Sequence, residues 1–327
     1  MAIRIAIAGL GNVGRGAIAA VKRNPDMELV AVFTRRPEAA KKEVEVPVYH
    51  TEDSQSWPGK NQVDVVILCG ASKSDIVKQG PKFATHFNTV DSFDDHPDIL
   101  RHFRTMRDTA MVNGNVAIVS AGWDPGIYSL ERVLGDAFLP GGSFFTVWGP
   151  GVSQGHSVEV RRIPGVLDAR SYTLPKEEVV TGLEANFEAL KLTGKQLHRR
   201  LVYVVAEEGA DKEWIRRKIT EMPNYFLGYE TEVVFISQEK MDASHSAFPH
   251  GGEVLSFGRT GNGNLVKLKY ELRLESNPGF TGSILVACAR AAWRLYKIGQ
   301  PGAYTMLDFP PRFLSPHSQE TLLSGFM

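Results

Sequence analysis

Gly9-Leu10-Gly11-Asn12-Val13-Gly14 sets three glycines at a spacing that lets a chain turn tightly and bring its backbone against a phosphate. In that pattern the glycines serve the turn, the close approach of a pyrophosphate and the packing of a following helix on a strand. The N–H groups left open at the start of such a helix then hold the anion. A second chemically marked segment is Thr34-Arg35-Arg36, with no acid before Glu38. A carboxylate there would accept hydrogen bonds from ribose hydroxyls. Two guanidiniums instead suit a 2′-phosphate, which they can grip bidentately while stacking on adenine. The pair favours NADP over NAD as cofactor.

These segments need a strand before the glycines and another before the arginines. Ile3–Ile7 is a short β-type run, Arg15–Arg23 has helical composition, Asn24-Pro25-Asp26 breaks it, and Glu28–Phe33 reads as the second strand. Further β-type runs follow at 46–49, 63–68, 88–90 and 115–120, with 98–112 the clearest helix between them. Strands alternating with helices predict a parallel, doubly wound sheet of Rossmann type. Ligands of such sheets lie beyond the carboxyl ends of the strands. That rule singles out Cys69-Gly70-Ala71, Asp91-Ser92-Phe93-Asp94 and Ala121-Gly122-Trp123-Asp124-Pro125-Gly126. Loop aspartates are more often turn formers or caps than catalysts. Asp94 and Asp124 gain weight from lying in successive strand-end loops.

From about residue 143 the pattern changes to longer β-type runs at 143–148, 168–174, 201–206, 230–236, 253–257 and 265–275, with helices at 211–221 and 280–297. They predict an α+β domain with a mainly antiparallel sheet, one face of which closes over the cofactor. Residues 1–122, completed by 278–327, form the expected dinucleotide-binding domain, and 123–277 the second. The glycine-rich run from Trp148 to His156, including Gln154 and Gly155, offers backbone N–H groups to a carboxylate. Thr173, Arg199 and His250 lie in separate segments that could converge on it. By pattern alone Arg199 reads as one of a solvated basic run, and His250 equally as a ligand or as a structural turn histidine.

The composition excludes several classes. Thirty-seven basic residues balance 37 acidic ones, so no global charge points to nucleic acid or an anionic membrane. No apolar run reaches membrane-spanning length, and Met1–Leu10 reads as a strand rather than a signal peptide. The two cysteines, Cys69 and Cys288, sit in apolar stretches and read as reduced residues of a cytoplasmic protein. No His-Glu-x-x-His, paired cysteine or clustered histidine spacing suggests a metal.

Several segments together resemble one family. They are Gly-Leu-Gly-Asn-Val-Gly-Arg at 9–15, Pro-Asp-Met-Glu-Leu-Val at 25–30, Thr-Arg-Arg at 34–36, Thr-Val-Asp-Ser-Phe-Asp at 89–94 and Ser-Ala-Gly-Trp-Asp-Pro-Gly at 120–126. Trp-Gly-Pro-Gly-Val-Ser-Gln-Gly-His-Ser at 148–157, Met-Pro-Asn-Tyr-Phe at 222–226, Pro-His-Gly-Gly at 249–252 and Asn-Pro-Gly-Phe-Thr at 277–281 complete the set. In order and over nearly the whole chain, they are similar to the meso-diaminopimelate dehydrogenase family. The resemblance implies a homodimer using NADP, with a substrate and dimerisation domain. It implies oxidative deamination of the D-centre of meso-2,6-diaminopimelate to L-2-amino-6-oxopimelate and ammonia, a reversible step of lysine and cell-wall precursor biosynthesis. It assigns Asp94 and Asp124 to the D-centre ammonium, with the general base open between them, and Trp123 and Trp148 to the walls. Gln154 and Gly155 fall near the reacting end, and Thr173, Arg199, His250 and Asn277 at the distal L-centre, which overrides the pattern reading of Arg199. The cofactor set is Gly9, Gly11, Asn12, Val13, Thr34, Arg35, Arg36, Cys69, Gly70, Ala71, Asp91, Ala121 and Pro125. Val158 departs from many members of the family, which have Asp there; the lost carboxylate would alter loop hydrogen bonding or relax substrate specificity. The alternatives are a broad D-amino acid dehydrogenase, another two-domain NAD(P) oxidoreductase, or an NADP-binding regulator without turnover. A sugar-type dehydrogenase would show a Glu-Lys-Pro-like motif, and none is present.

Overall fold

The computed structural model describes residues 2–186 and 192–327. It divides into two compact units, residues 1–130 with 278–327, and residues 131–277.

Buried aliphatic runs build the first unit. Strands β1 (Ile3–Ala8), β2 (Met27–Thr34), β3 (Val48–His50), β4 (Val65–Leu68), β5 (Asn88–Asp91) and β6 (Val116–Ile118) are joined by a late strand, Gly302–Tyr304. All pair in parallel, in the spatial order β3-β2-β1-β4-β5-β6 with Gly302–Tyr304 at the far edge. This is the strand order of a dinucleotide-binding sheet, and it reverses between β1 and β4, where such sheets bind their ligands. The sequence predicted six of these strands and the sheet type. Gly302–Tyr304 went unread, because three residues behind a proline carry no usable pattern. β1 and β4 are almost entirely buried on both faces, as a sheet covered by helices requires. Phe33 anchors one face: its ring lies 5.0 Å edge-on to Phe83, and Trp57 stacks on Phe83 at 4.3 Å.

The helix Asn277–Lys297 closes this unit through a charge. Arg290 has a side chain only 2% exposed, and it donates to both oxygens of Asp26, to Asn24 Oδ1 and to the Leu314 carbonyl. One guanidinium therefore ties the C-terminal segment to the turn before β2, and holds the Asp26 carboxyl below its usual range. Arg290→Met would strand those acceptors and is expected to cost on the order of 3 kcal/mol, read from urea unfolding. An unchanged midpoint would mean that the tie contributes nothing.

The second unit holds two sheets. One contains β8 (Gly151–Ser153), β9 (Val166–Pro175), β10 (His198–Ala206) and β11 (Glu230–Phe235), in the order β11-β10-β9-β8. Its pairs are antiparallel except β10 with β11. The other is antiparallel, β13-β12-β7, from β7 (Ser143–Trp148), β12 (His250–Arg259) and β13 (Leu265–Leu274). The expected mainly antiparallel α+β unit is thus present. β10 starts at His198, three residues before the run read from sequence, so the whole His-Arg-Arg segment lies in a strand. Helices Gln154–Arg161 and Lys212–Thr220 cover the first sheet around Val160, Val202, Val204, Ile215, Ile219 and Phe226.

Candidate active site

In the first unit the glycine loop joins β1 to the helix Asn12–Lys22. Gly9 has φ +99°, and a Cβ at Gly14 would sit 2.0 Å from the Gly9 carbonyl oxygen, so both positions demand glycine. Gly11 caps the helix with no side-chain hydrogen bond, and the first turn holds no acid. Its N-terminal N–H groups, with Asn12 and Val13 leading, are therefore available to an anion. Beside it opens a cleft of about 280 Å³ lined by Gly9, Gly11, Thr34, Arg35, Arg36, Cys69, Gly70 and Ala71, together with Thr51, Asp75 and Gln79. Loops after β1, β2 and β4 thus converge as the sheet rule requires. A glycine cradle at a bare helix start, with two guanidiniums beyond it, fits a dinucleotide carrying a 2′-phosphate. Arg35 lies 3.3 Å from Asp75, a residue the sequence reading overlooked because nothing in its own segment marks it. The Cys69 thiol is pushed up to about 12 by burial and stays protonated.

Two of the expected cofactor ligands, Asp91 and Ala121, lie behind the cleft. Asp91 is fully buried, and its carboxylate is spent on its own fold. Oδ1 accepts from the N–H groups of Phe93 and Ser120 at 3.0 and 2.9 Å, and Oδ2 lies 2.7 Å from His102 Nε2. Ala121 is 1% exposed, its N–H donating to the Asp91 carbonyl. Neither lines the cleft; both shape the loops that carry Asp94 and Asp124. Asp94 is exposed, with its N–H on Ser72 Oγ at 3.2 Å, and Asp124 and Pro125 are half-buried. Trp123 packs edge-on against Tyr128 at 5.3 Å.

In the second unit strand alternation decides which arginine faces inward. Thr173 of β9 pairs with Arg200 of β10, while Arg199 pairs with Leu174 on the opposite face. Arg199 therefore lies on the face away from Thr173: its side chain is 43% exposed and stands 3.9 Å from Glu232, a loose surface pair. Arg200 is 7% exposed and donates to Thr173 Oγ1, with its guanidinium 4.3 Å over the Tyr229 ring. Its Nε is buried with no partner, and no carboxylate pairs with it among the described residues. A buried guanidinium without a counter-charge is costly unless an anion arrives to meet it.

Its surroundings are histidines held neutral. His198 Nε2 accepts the Trp148 N–H at 2.8 Å while Nδ1 donates to the Gly194 carbonyl at 2.7 Å. Burial, with Arg200 nearby, pushes it down to about 4. His156, Nδ1 2.6 Å from Ser153 Oγ, is pushed down to about 3 by burial and by Arg200. His250 is lowered by burial, and its Nδ1 accepts the Gly251 N–H at 2.7 Å. Gly151 lets β8 press against it, since a Cβ there would lie 2.4 Å from the His250 Cα. Gln154 and Gly155 open the helix that carries His156, and the Asn277 N–H donates to Phe248 O. The structure thus brings Trp148, Thr173 and His250 around Arg200, with His156, His198 and Tyr229 added. A strand read from His198 would have flagged Arg200 by parity; His156 lies in the glycine-rich run singled out from the sequence, while nothing there marks His198.

These histidines set an acid limit on stability. Their folded values lie below the unfolded one, so the unfolded chain takes up protons first as pH falls. The stabilisation is complete above about pH 6.5 and shrinks from there towards pH 4 and 3, by up to about 1.4 kcal/mol per pH unit for each histidine. His198→Gln keeps an acceptor for Trp148 and a donor for Gly194 but cannot titrate. It is expected to flatten the fall of Tm between pH 6.5 and 4.5; an unaltered slope would contradict this origin.

A Rossmann unit with a glycine cradle at a bare helix start and an arginine pair beside it defines the class of NAD(P)-binding proteins. Residues 3–100 match the family of oxidoreductases with an NAD-binding Rossmann fold, and residues 122–276 match the diaminopimelic acid dehydrogenase C-terminal domain. The chain is 50% identical to the meso-diaminopimelate D-dehydrogenase of Ureibacillus thermosphaericus over 98% of each chain. Among solved structures, a Corynebacterium glutamicum DAP dehydrogenase in complex with DAP superposes with a TM-score of 0.93 at 45% identity, covering 99% of each chain. An engineered D-amino acid dehydrogenase bound to NADP+ gives 0.90 at 43% identity, covering 100% of each. The chain belongs to the meso-diaminopimelate D-dehydrogenase family.

Proposed function

We propose that the protein catalyses the reversible, NADP-dependent oxidative deamination of the D-centre of meso-2,6-diaminopimelate, giving L-2-amino-6-oxopimelate and ammonia. Arg200 carries the choice of substrate: a buried guanidinium among neutral histidines suits the distal carboxylate of a diamino diacid. A simple D-amino acid has no second carboxylate to offer it. Thr173, His250 and Asn277 join it at the L-centre. Gln154 and Gly155 serve the reacting end, and Trp123 and Trp148 exclude water. Asp94 and Asp124 face the D-centre ammonium, and one of them, directly or through water, takes its proton.

Bound NADP+ supplies the acceptor for the hydrogen leaving the α-carbon. Water then adds to the imine carbon and ammonia departs. The protein contributes position: a carboxylate at the ammonium and an arginine at the far end. Arg35 and Arg36 hold the 2′-phosphate. We further assign the protein to the cytoplasm, to lysine and cell-wall precursor supply, and to a homodimer; no helix among the described residues is long and apolar enough to cross a membrane.

The test is cofactor reduction with meso-diaminopimelate beside its LL and DD isomers, D-lysine and D-alanine, using NADP+ and NAD+. The meso isomer with NADP+ should dominate. Comparable rates with simple D-amino acids would replace this reading with a broad D-amino acid dehydrogenase.

A further inference from the structure

The buried acid beside the reaction loops has a partner the mechanism does not use. Asp91 ends β5 and is completely buried. Its Oδ1 holds Phe93 and Ser120, while its backbone carbonyl holds Ala121 at 2.8 Å. One residue thus fastens two loops: Phe93 immediately precedes Asp94, and Ser120 lies four residues before Asp124. Ser120 sits at φ +54°, a left-handed conformation uncommon for serine that its surroundings must impose. Its buried hydroxyl has no partner among the described residues, and its N–H is held by the Asp91 carboxylate, between the Val119 N–H on the Tyr304 carbonyl and the Ala121 N–H on the Asp91 carbonyl.

Oδ2 is held in turn by His102 Nε2 at 2.7 Å, from the helix Ile99–Val112. The imidazole is 4% exposed and stacks on the Phe93 ring at 4.3 Å and 21°. Gly80 of the helix Val77–His86 packs against the same histidine, a Cβ there lying in ordinary contact at 3.6 Å from His102 Cε1. His102 therefore fixes both the carboxylate and the first residue that the carboxylate holds.

We infer that His102 is a positioning residue for the dehydrogenase reaction, acting through Asp91 to fix the loops that present Asp94 and Asp124 to the substrate. The inference rests on the proposed role of those two aspartates. It concerns turnover rather than binding, because Asp91 and His102 stand apart from the cofactor cleft and belong to a different unit from Arg200. Misplacement of a reacting group by about 1 Å is enough to cost on the order of 100-fold.

The test compares His102→Leu, which removes the donor, with His102→Gln, whose amide can still reach Asp91. For the leucine variant, kcat with meso-diaminopimelate should fall about 10- to 100-fold. Its substrate KM should stay within about threefold and its NADP+ dissociation constant, from fluorescence titration, within about twofold. The glutamine variant should recover most of kcat. If the leucine variant does not fold, His102→Asn, too short to reach Asp91, replaces it in the same comparison. A folded variant with lowered Tm but unchanged kcat would overturn the inference, as would kcat and NADP+ affinity falling together. Asp94→Asn and Asp124→Asn both keeping full turnover would instead remove the reading of the site on which it stands, whatever His102 does.

Discussion

Replacing Arg200 with methionine is expected to lower kcat/KM for meso-diaminopimelate by about 10²- to 10³-fold, while the same change at Arg199 leaves it within about threefold. The two residues are chain neighbours with equal charge, so the contrast isolates geometry. Arg200 is buried, bonded to Thr173 and lacks a carboxylate partner among the described residues, whereas Arg199 is half-exposed beside Glu232. Truncating one member of a buried charge pair costs about 2–5 kcal/mol. The loss at Arg200 should fall mainly on KM, because a grip on the distal end is made in ground and transition states alike. Methionine preserves much of the apolar stem, so the fold should survive. Equal losses at both positions, or a loss only at Arg199, would contradict the assignment by strand parity.

The double change Arg35→Gln with Arg36→Gln should lower kcat/KM for NADP+ by about 10²- to 10⁴-fold, two charge-assisted hydrogen bonds at about 1.5–3 kcal/mol each setting the scale. NAD+, lacking the 2′-phosphate, should change by no more than a few-fold. Arg35 is 64% exposed and, among the described residues, paired with Asp75 at 3.3 Å, a solvent-screened contact that a phosphate can displace. If both cofactors lose equally, the arginines build the cleft rather than select its occupant.

The first unit was the more legible in the sequence, for identifiable reasons. Its glycine loop, its arginine pair and its strand-end loops are local patterns, and a parallel sheet gathers strand ends at one edge by rule. Glycine at 9 and 14 is required by backbone geometry that any chain of this fold must meet. What the sequence concealed depends on parity and on burial. Arg199 and Arg200 differ by one position in β10, and with the strand read as starting at Leu201 their faces were undefined. Asp91 has the look of a ligand, an acid at a strand end, yet its oxygens are taken by backbone N–H groups and by a histidine eleven residues away in the chain. Asp75 and His156 act through partners that only the folded chain brings near. Val158 is 38% exposed on its helix, and nothing in its surroundings explains its departure from the family pattern.

The central claim is that hydrogen leaves the D-centre of meso-diaminopimelate for the bound cofactor. Its most direct test uses two samples of the substrate, deuterated at the α-carbon of the D-centre or of the L-centre, with mass analysis of the reduced cofactor. Deuterium should appear in the cofactor from the D-labelled sample and remain in the oxo-acid product from the L-labelled one. Transfer from the L-centre, or reduced cofactor free of label from both, would contradict the account.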